Sequence, residues 1–197
     1  SQDGINLTSF QEDGVARARR ILSENRGVLV ADGVGLGKSF IAAALMRESI
    51  IEQRQRVLLI APAALRDGPW KSFQNNHADF KFECISFEEL RDAMDDEKPY
   101  KVLNHRINEY SMVIIDEAHG FRNPDTERSM ALRKLLQGLP PKKLVLLTAT
   151  PVNNSIWDLY YELSYFLKND AAFASSGIRS IREHFKEVSS KDPDDLS

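Results

Sequence analysis

The sequence predicts an α/β fold with a mostly parallel central sheet and helices on both faces. Three observations carry this. Five short apolar runs recur along the chain, at Val28–Ala31, Val57–Ile60, Phe82–Ile85, Met112–Ile115 and Leu144–Leu147. Several are continuous rather than alternating, as strands are when both sheet faces are covered. Helical patterns separate them, which gives alternating strand and helix and hence three layers.

Taken in order, Ser9 to Ser23 carries Val15, Ala18 and Leu22 on one helical face, with Arg17 and Arg20 on another and Arg19 beside them on the wet side. Phe40 to Ile51 is helical after the first strand, and Phe87 to Met94 is a short helix. Thr126 to Gln137 turns Met130, Leu132, Leu135 and Leu136 inward and stops at Gly138, a C-cap residue. Asp67-Gly68-Pro69 reads as a turn, Asp95 to Pro99 as an acidic surface loop, and Pro140-Pro141 as the lead into the last strand. After Leu167 the stretch KNDAAFASSG is loop-like, IRSIREHFKEV is helical, and SSKDPDDLS is frayed, so the chain is expected to end inside a larger protein.

Composition sets bounds. The 197 residues, 42% hydrophobic and 28% charged, suit one soluble α/β domain. A net charge of −3 is not the global basic surface of a strong nucleic-acid binder, so any such contact is local or shared with another domain. One cysteine, Cys84, excludes an internal disulfide and reads as a buried thiol in a short strand. Stretches such as VLLIAPAAL are too short to span a membrane, and the first residues lack the regions of a signal peptide. An intracellular protein with no membrane partner is expected.

The segment VLVADGVGLGKS joins an apolar run to a glycine-rich turn and then to the helical FIAAALMRES. Successive backbone N–H groups and a helix N-terminus create a pocket for anionic oxygens. Asp32, Gly33, Val34, Gly35, Leu36, Gly37, Lys38, Ser39 and Phe40 form the candidate nucleotide cradle. Lys38 places a point charge for β/γ-phosphates and Ser39 a hydroxyl for Mg²⁺. Asp32 stands where the general pattern has glycine, and a chance GKS in a glycine-rich turn is the competing reading.

A second segment, MVIIDEAH, is a buried strand that delivers two acids at its C-terminal end, where ligands gather in open α/β sheets. Asp116 is the candidate Mg²⁺ carboxylate, and Glu117 the group that orients and deprotonates the attacking water. Alone, the turn reads equally as a strand-to-helix connection with either acid as N-cap. In LVLLTATPVNN a third strand brings Thr148 and Thr150 to the same edge, where they could couple phosphate state to movement; standing alone, the segment reads as a plain strand and turn. His119 follows the acids and reads either as a link from them to Thr148 or Gln11 or as a surface histidine; His77, His105 and His184 show no metal spacing.

Together these motifs resemble superfamily-two helicases, and more closely the Swi/Snf-type ATPases. ADGVGLGKS is similar to that family's ADEMGLGKT, which also carries Asp at the first position, and Ser39 keeps the hydroxyl of its Thr. LTSFQEDGV resembles the family's entry motif, with Gln11 in the adenine-reading position. LLIAPAALRDGPW and ECISFEEL resemble its DNA-tracking segments, and DEAHGFRN its acid motif with a following basic-Asn pair. LTATPVNNSIWDLYYELSYF resembles its LTGTP motif, with Ala149 for Gly.

The resemblance implies a RecA-like ATP-binding lobe spanning residues 1–168, with 169–197 beginning a helical insertion. It also implies a second lobe beyond this chain, and an ATP- and Mg²⁺-dependent motor on double-stranded DNA. Lys38, Asp116, Glu117 and His119 are then its catalytic set. Arg66, Lys71, Ser86, Arg122, Asn123, Asn153 and Asn154 are candidate phosphate-backbone contacts, each also readable as a solvated surface residue. Trp70 could stack on a base, but an aromatic after Gly-Pro more often packs. A strand-separating DNA or RNA helicase, and an ATP-controlled interaction module, are the alternatives.

Overall fold

The computed structural model describes residues 9–31, 37–77, 81–94, 106–149, 156–167 and 180–190. Helix α1 (Ser9–Asn25) leads into β1 (Gly27–Ala31), and α2 (Lys38–Arg47) continues through a wide π turn, Glu48–Glu52. β2 (Arg56–Ala61) is followed by α3 (63–76), then β3 (Glu83–Ser86) and α4 (Phe87–Met94). β4 (Tyr110–Ile115) ends in a 3₁₀ turn, Ala118–Phe121; α5 (Glu127–Leu136), β5 (Lys143–Thr148), α6 (Ile156–Ser164) and α7 (Ile181–Ser190) complete the order.

The five strands pair in the order β1-β5-β4-β2-β3, and every pairing is parallel. All five predicted strands are present, each within two residues of its expected bounds. Their apolar runs are continuous because alternate residues serve opposite layers. Val57, Leu59 and Ala61 join a core with Val15, Ala18 and Leu22 of α1 and Ala42 and Met46 of α2. Leu58 and Ile60 join another with Leu90 of α4 and Leu132 and Leu135 of α5. Leu58, Leu59 and Ile60 are each 0% exposed, so a one-residue slip would exchange the two layers without exposing either.

β1 starts on a glycine for a steric reason. A Cβ on Gly27 would lie 2.0 Å from the Phe166 ring, an approach no side chain survives. α4 starts with a capping box: Ser86 Oγ accepts the Glu89 N–H at 3.1 Å, and Glu89 Oε2 accepts the Ser86 N–H at 2.7 Å. Thr126 caps α5, its side chain accepting from the Ser129 N–H, and the helix closes at Gln137, one residue before the expected Gly138.

Two expectations are corrected. Asp67-Gly68-Pro69 is not a turn but lies inside α3, in a π-helical segment Arg66–Trp70. The widened turn takes a proline, whose ring clashes with the carbonyl four residues back in a regular α-helix. Met130 does not face inward; it is 53% exposed, because Ala131, Leu132 and Leu135 already fill the buried stripe of α5. The Asp95–Pro99 loop and the 168–179 stretch lie outside the described residues.

Candidate nucleotide site

The site is assembled by strand order. β5 lies between β1 and β4. Ala31 at the end of β1 is in register with Thr148 at the end of β5, and Ile115 of β4 with Leu146. Because all three strands run the same way, the end of β1 at Ala31, the end of β5 at Thr148 and the acid turn after β4 lie side by side at one edge of the sheet, with Thr148 between the other two.

On the β1 side, Gly37 is the N-cap of α2 and Lys38 its first residue; Lys38 is 6% exposed. A helix start leaves its first amides without intrahelical partners, which is the general chemistry of an anion site. Ser39 and Phe40 are exposed. Asp32, Gly33, Val34, Gly35 and Leu36 lie outside the described residues. A cavity of about 600 Å³ runs between α1, β1 and the start of α2, lined by Gln11, Arg17, Val30, Ala31 and Gly37 among others. Gln11 and Gly37 therefore line one concavity.

On the β4 side, Asp116 is 7% exposed and its N–H donates to Ile60 O at 2.9 Å, extending the β4–β2 pairing into the turn. Asp116 Oδ1 accepts the Glu117 N–H at 2.9 Å, and Oδ2 accepts Trp70 Nε1–H at 2.8 Å. Glu117 occupies the N-cap position of the 3₁₀ turn, but its side chain makes no capping hydrogen bond. Glu117 has φ 53°, the left-handed region, where a side chain costs about 1–2 kcal/mol. That backbone turn carries Glu117 away from the strand line. Glu117 Oε2 lies 3.1 Å from His119 Nδ1 at an angle that makes no hydrogen bond. Thr148 is fully buried, and Thr150 lies outside the described residues.

Among the described residues no group of three or more His, Cys, Asp or Glu side chains is placed to hold a metal ion. One carboxylate with lone pairs left after two donors, together with the Ser39 hydroxyl, is instead the donor set that Mg²⁺ takes when substrate phosphates and waters complete its shell. The residues fit that ion.

The candidate phosphate-backbone residues separate. Lys71 is exposed on α3. Arg66 is held by its neighbours: Nε and Nη2 donate to the two Asp67 oxygens at 2.9 Å each, and Nη1 pairs with Glu89. Those two acids raise its pKa beyond the ordinary arginine range. Ser86 is buried and its hydroxyl serves the capping box, which corrects its reading as a surface contact. Arg122 is half-buried, and Asn123 Oδ1 accepts the Asp125 N–H at 3.0 Å. Asn153 and Asn154 lie outside the described residues. Trp70 is 3% exposed, packed edge-on to Phe73 and Phe82, so base stacking is excluded for it. Burial pushes the Cys84 thiol up to about 12, consistent with an inert side chain.

The sequence reading missed two residues here. Trp70 meets Asp116 across 46 positions, a distance at which no local pattern speaks. Glu162 of α6 is 1% exposed with neither carboxylate oxygen hydrogen-bonded, and its carboxyl is pushed up to about 7, by burial first and then by Asp158, with Arg122 opposing. An acid within the otherwise apolar LYYELSYF was the available signal.

Comparison with known proteins points to one family. A family model described as the SNF2-related domain matches residues 65–188, which include the acid turn and the TATP segment and begin downstream of Lys38. An uncharacterized ATP-dependent helicase of Bacillus subtilis, YqhH, is 28% identical over 189 residues, covering 88% of this chain and 31% of the relative. A SWI/SNF-related matrix-associated actin-dependent regulator of chromatin, subfamily A-like protein 1, of Xenopus tropicalis is 27% identical over 173 residues, covering 83% of this chain and 18% of the relative. The structure of the Sulfolobus solfataricus SWI2/SNF2 ATPase core in complex with dsDNA superposes with a TM-score of 0.64 at 21% identity, over 94% of this chain and 43% of that one. The chain thus spans less than a third of these two relatives' length. With a parallel five-stranded sheet and a family match over more than half its residues, the chain belongs to the SNF2-related domain family.

Proposed function

We propose that the chain is the ATP-binding lobe of a DNA-dependent ATPase that translocates along double-stranded DNA. Residues 1–168 form the RecA-like lobe, and 169–197 begin the helical insertion that follows it. The observation that supports this most is that β1, β5 and β4 are adjacent and parallel, with Lys38 opening the helix after β1, Thr148 ending β5 and Asp116 directly following β4.

In this reading Lys38 meets the β/γ-phosphates, Gln11 reads the adenine, and Ser39 and Asp116 hold Mg²⁺. Bound Mg²⁺ supplies charge neutralisation at the phosphate oxygens. Glu117, turned out of the strand line by its left-handed backbone, orients the attacking water and takes its proton. His119, which lies 3.1 Å from Glu117 without a hydrogen bond, links the acid turn to Thr148 or Gln11. Thr148 and Thr150 sense the phosphate state. Lys71, Arg122 and Asn123 follow the DNA backbone, giving little sequence preference. Asn153 and Asn154 belong to the same proposal, and Arg66 contributes only if DNA displaces one of its two acids. A second lobe contributes the arginine finger, worth about 10³–10⁵ in rate, so this chain alone turns ATP over poorly.

The test is phosphate release by a protein that carries this chain together with its second lobe, measured without nucleic acid and with duplex DNA, single-stranded DNA or RNA. Stimulation by duplex DNA that is lost in Lys38→Ala is the expected result. Stimulation only by single strands or RNA moves the reading to a strand-separating helicase. No stimulation by any of them replaces it with an ATP-controlled interaction module.

A further inference from the structure

Asp116 is held from two directions. Its own turn provides one donor, the Glu117 N–H on Oδ1, and α3 provides the other, the Trp70 indole N–H on Oδ2. The outer torsion of an aspartate is soft and roughly two-fold, so a single donor leaves the carboxylate plane free to swing. A second donor on the other oxygen fixes the plane. A carboxylate offers about four lone-pair sites, and two donors leave acceptor capacity on both oxygens.

Trp70 is built to stay where it is. Phe73 and Phe82 meet its ring edge-on at 5.9 and 6.1 Å between centroids, and the side chain is 3% exposed. Indole has one donor and no acceptor, and at this depth that donor is met by the Asp116 carboxylate. The π segment Arg66–Trp70 bears on the same point. One extra residue in a turn rotates everything after it by about 100°, so the widened turn sets the direction in which the indole leaves α3.

We infer that Trp70 is a positioning residue for the nucleotide site, its indole N–H holding the Asp116 carboxylate in the orientation that receives the metal–triphosphate. The inference rests on the reading of Asp116 as the metal-bearing acid. It gives the Gly-Pro-Trp turn of α3 a task other than packing. Trp70 also adjoins Lys71, so movement of α3 reaches Asp116 through one hydrogen bond.

The experiment uses Trp70→Phe, which keeps an aromatic ring in the Phe73–Phe82 cluster and deletes the donor. Binding of a fluorescent ATP analogue to the 197-residue chain is titrated with Mg²⁺. The variant is expected to need about 10-fold more Mg²⁺ for half-maximal binding, the size of loss seen when a partner of a metal ligand is removed, with metal-free binding unchanged. An unchanged Mg²⁺ requirement overturns the inference. A second measurement needs no variant at the site. The chain has two tryptophans, so ¹⁵N-labelled protein gives two indole N–H resonances, and Trp157→Phe identifies that of Trp70. Mg²⁺ added to the nucleotide-bound chain is expected to shift the Trp70 resonance; no shift while the nucleotide stays bound overturns the inference. Lys38→Ala separates the two levels. If the analogue binds and Lys38→Ala abolishes binding while Trp70→Phe matches wild type, only the role of Trp70 falls. If the wild-type chain binds no nucleotide, the reading of the site falls with it.

Discussion

Asp116 and Glu162 are both buried carboxylates, 7% and 1% exposed, yet the chain treats them in opposite ways. The acid turn after β4 gives each Asp116 oxygen a donor, one from its own backbone and one from α3. Helix α6 gives the Glu162 oxygens none; Arg122 acts on it electrostatically, with its own buried Nη1 unpaired. Burial without donors favours the neutral acid, and Glu162 is pushed up to about 7. Burial alone therefore does not make a carboxylate a site. The arrangement of donors does, and by that measure Asp116 is the prepared group.

The sharpest way to break this comparison is to remove the prepared carboxylate. Asp116→Asn is expected to lower ATP turnover by at least about 10³-fold in a protein carrying both lobes, because in the proposed function it removes the charge that holds the metal. Steady-state phosphate release reads this directly. Turnover within tenfold of wild type would put Asp116 on the same footing as Glu162.

Glu162 provides the next effect, on stability rather than rate. Its carboxyl rises from an ordinary value of 4.5 to about 7 in the fold, so the folded state holds the proton where the unfolded chain has lost it. The contribution is fully present below about pH 4.5 and is lost as pH rises through about 7. Glu162→Gln is expected to flatten the pH dependence across that window and to stabilise the chain at pH 8 by about 1–2 kcal/mol. Urea unfolding at a series of pH values measures it. An unchanged slope means that Glu162 gains partners in solution that the fold does not show.

A smaller effect belongs to Ser86. Its hydroxyl caps α4, so Ser86→Ala is expected to cost about 1 kcal/mol in the same unfolding assay and to leave DNA stimulation intact. Loss of stimulation without loss of stability would return Ser86 to the DNA surface.

The fold was legible in the sequence because its main signal is local. Each strand is a short apolar run, and a doubly covered parallel sheet needs nothing finer than that. The places of the proposed nucleotide residues in the fold were legible for a related reason, since Lys38 opens the helix after β1, Asp116 directly follows β4 and Thr148 closes β5. The errors fell where a neighbour's identity was needed. Gly68-Pro69 has turn chemistry, but the anchoring of Trp70 against Phe73, Phe82 and Asp116 keeps the segment helical. Met130 has the hydrophobicity of a core residue but sits one position before the stripe that Ala131 and Leu132 complete. Ser86 has the residue type of a phosphate contact, and Glu89, three residues on, already marked it as a cap. The Trp70–Asp116 hydrogen bond is tertiary and has no signature along the chain.

The central claim is that the carboxyl edge of this sheet binds nucleotide through Lys38 and acts on it through Glu117. Equilibrium binding of an Mg²⁺–ATP analogue to the wild-type chain, to Lys38→Ala and to Glu117→Gln tests it most directly. The account predicts binding by the wild type, binding of similar strength by Glu117→Gln, and none by Lys38→Ala. Equal binding by Lys38→Ala, or loss of binding in Glu117→Gln, would contradict it.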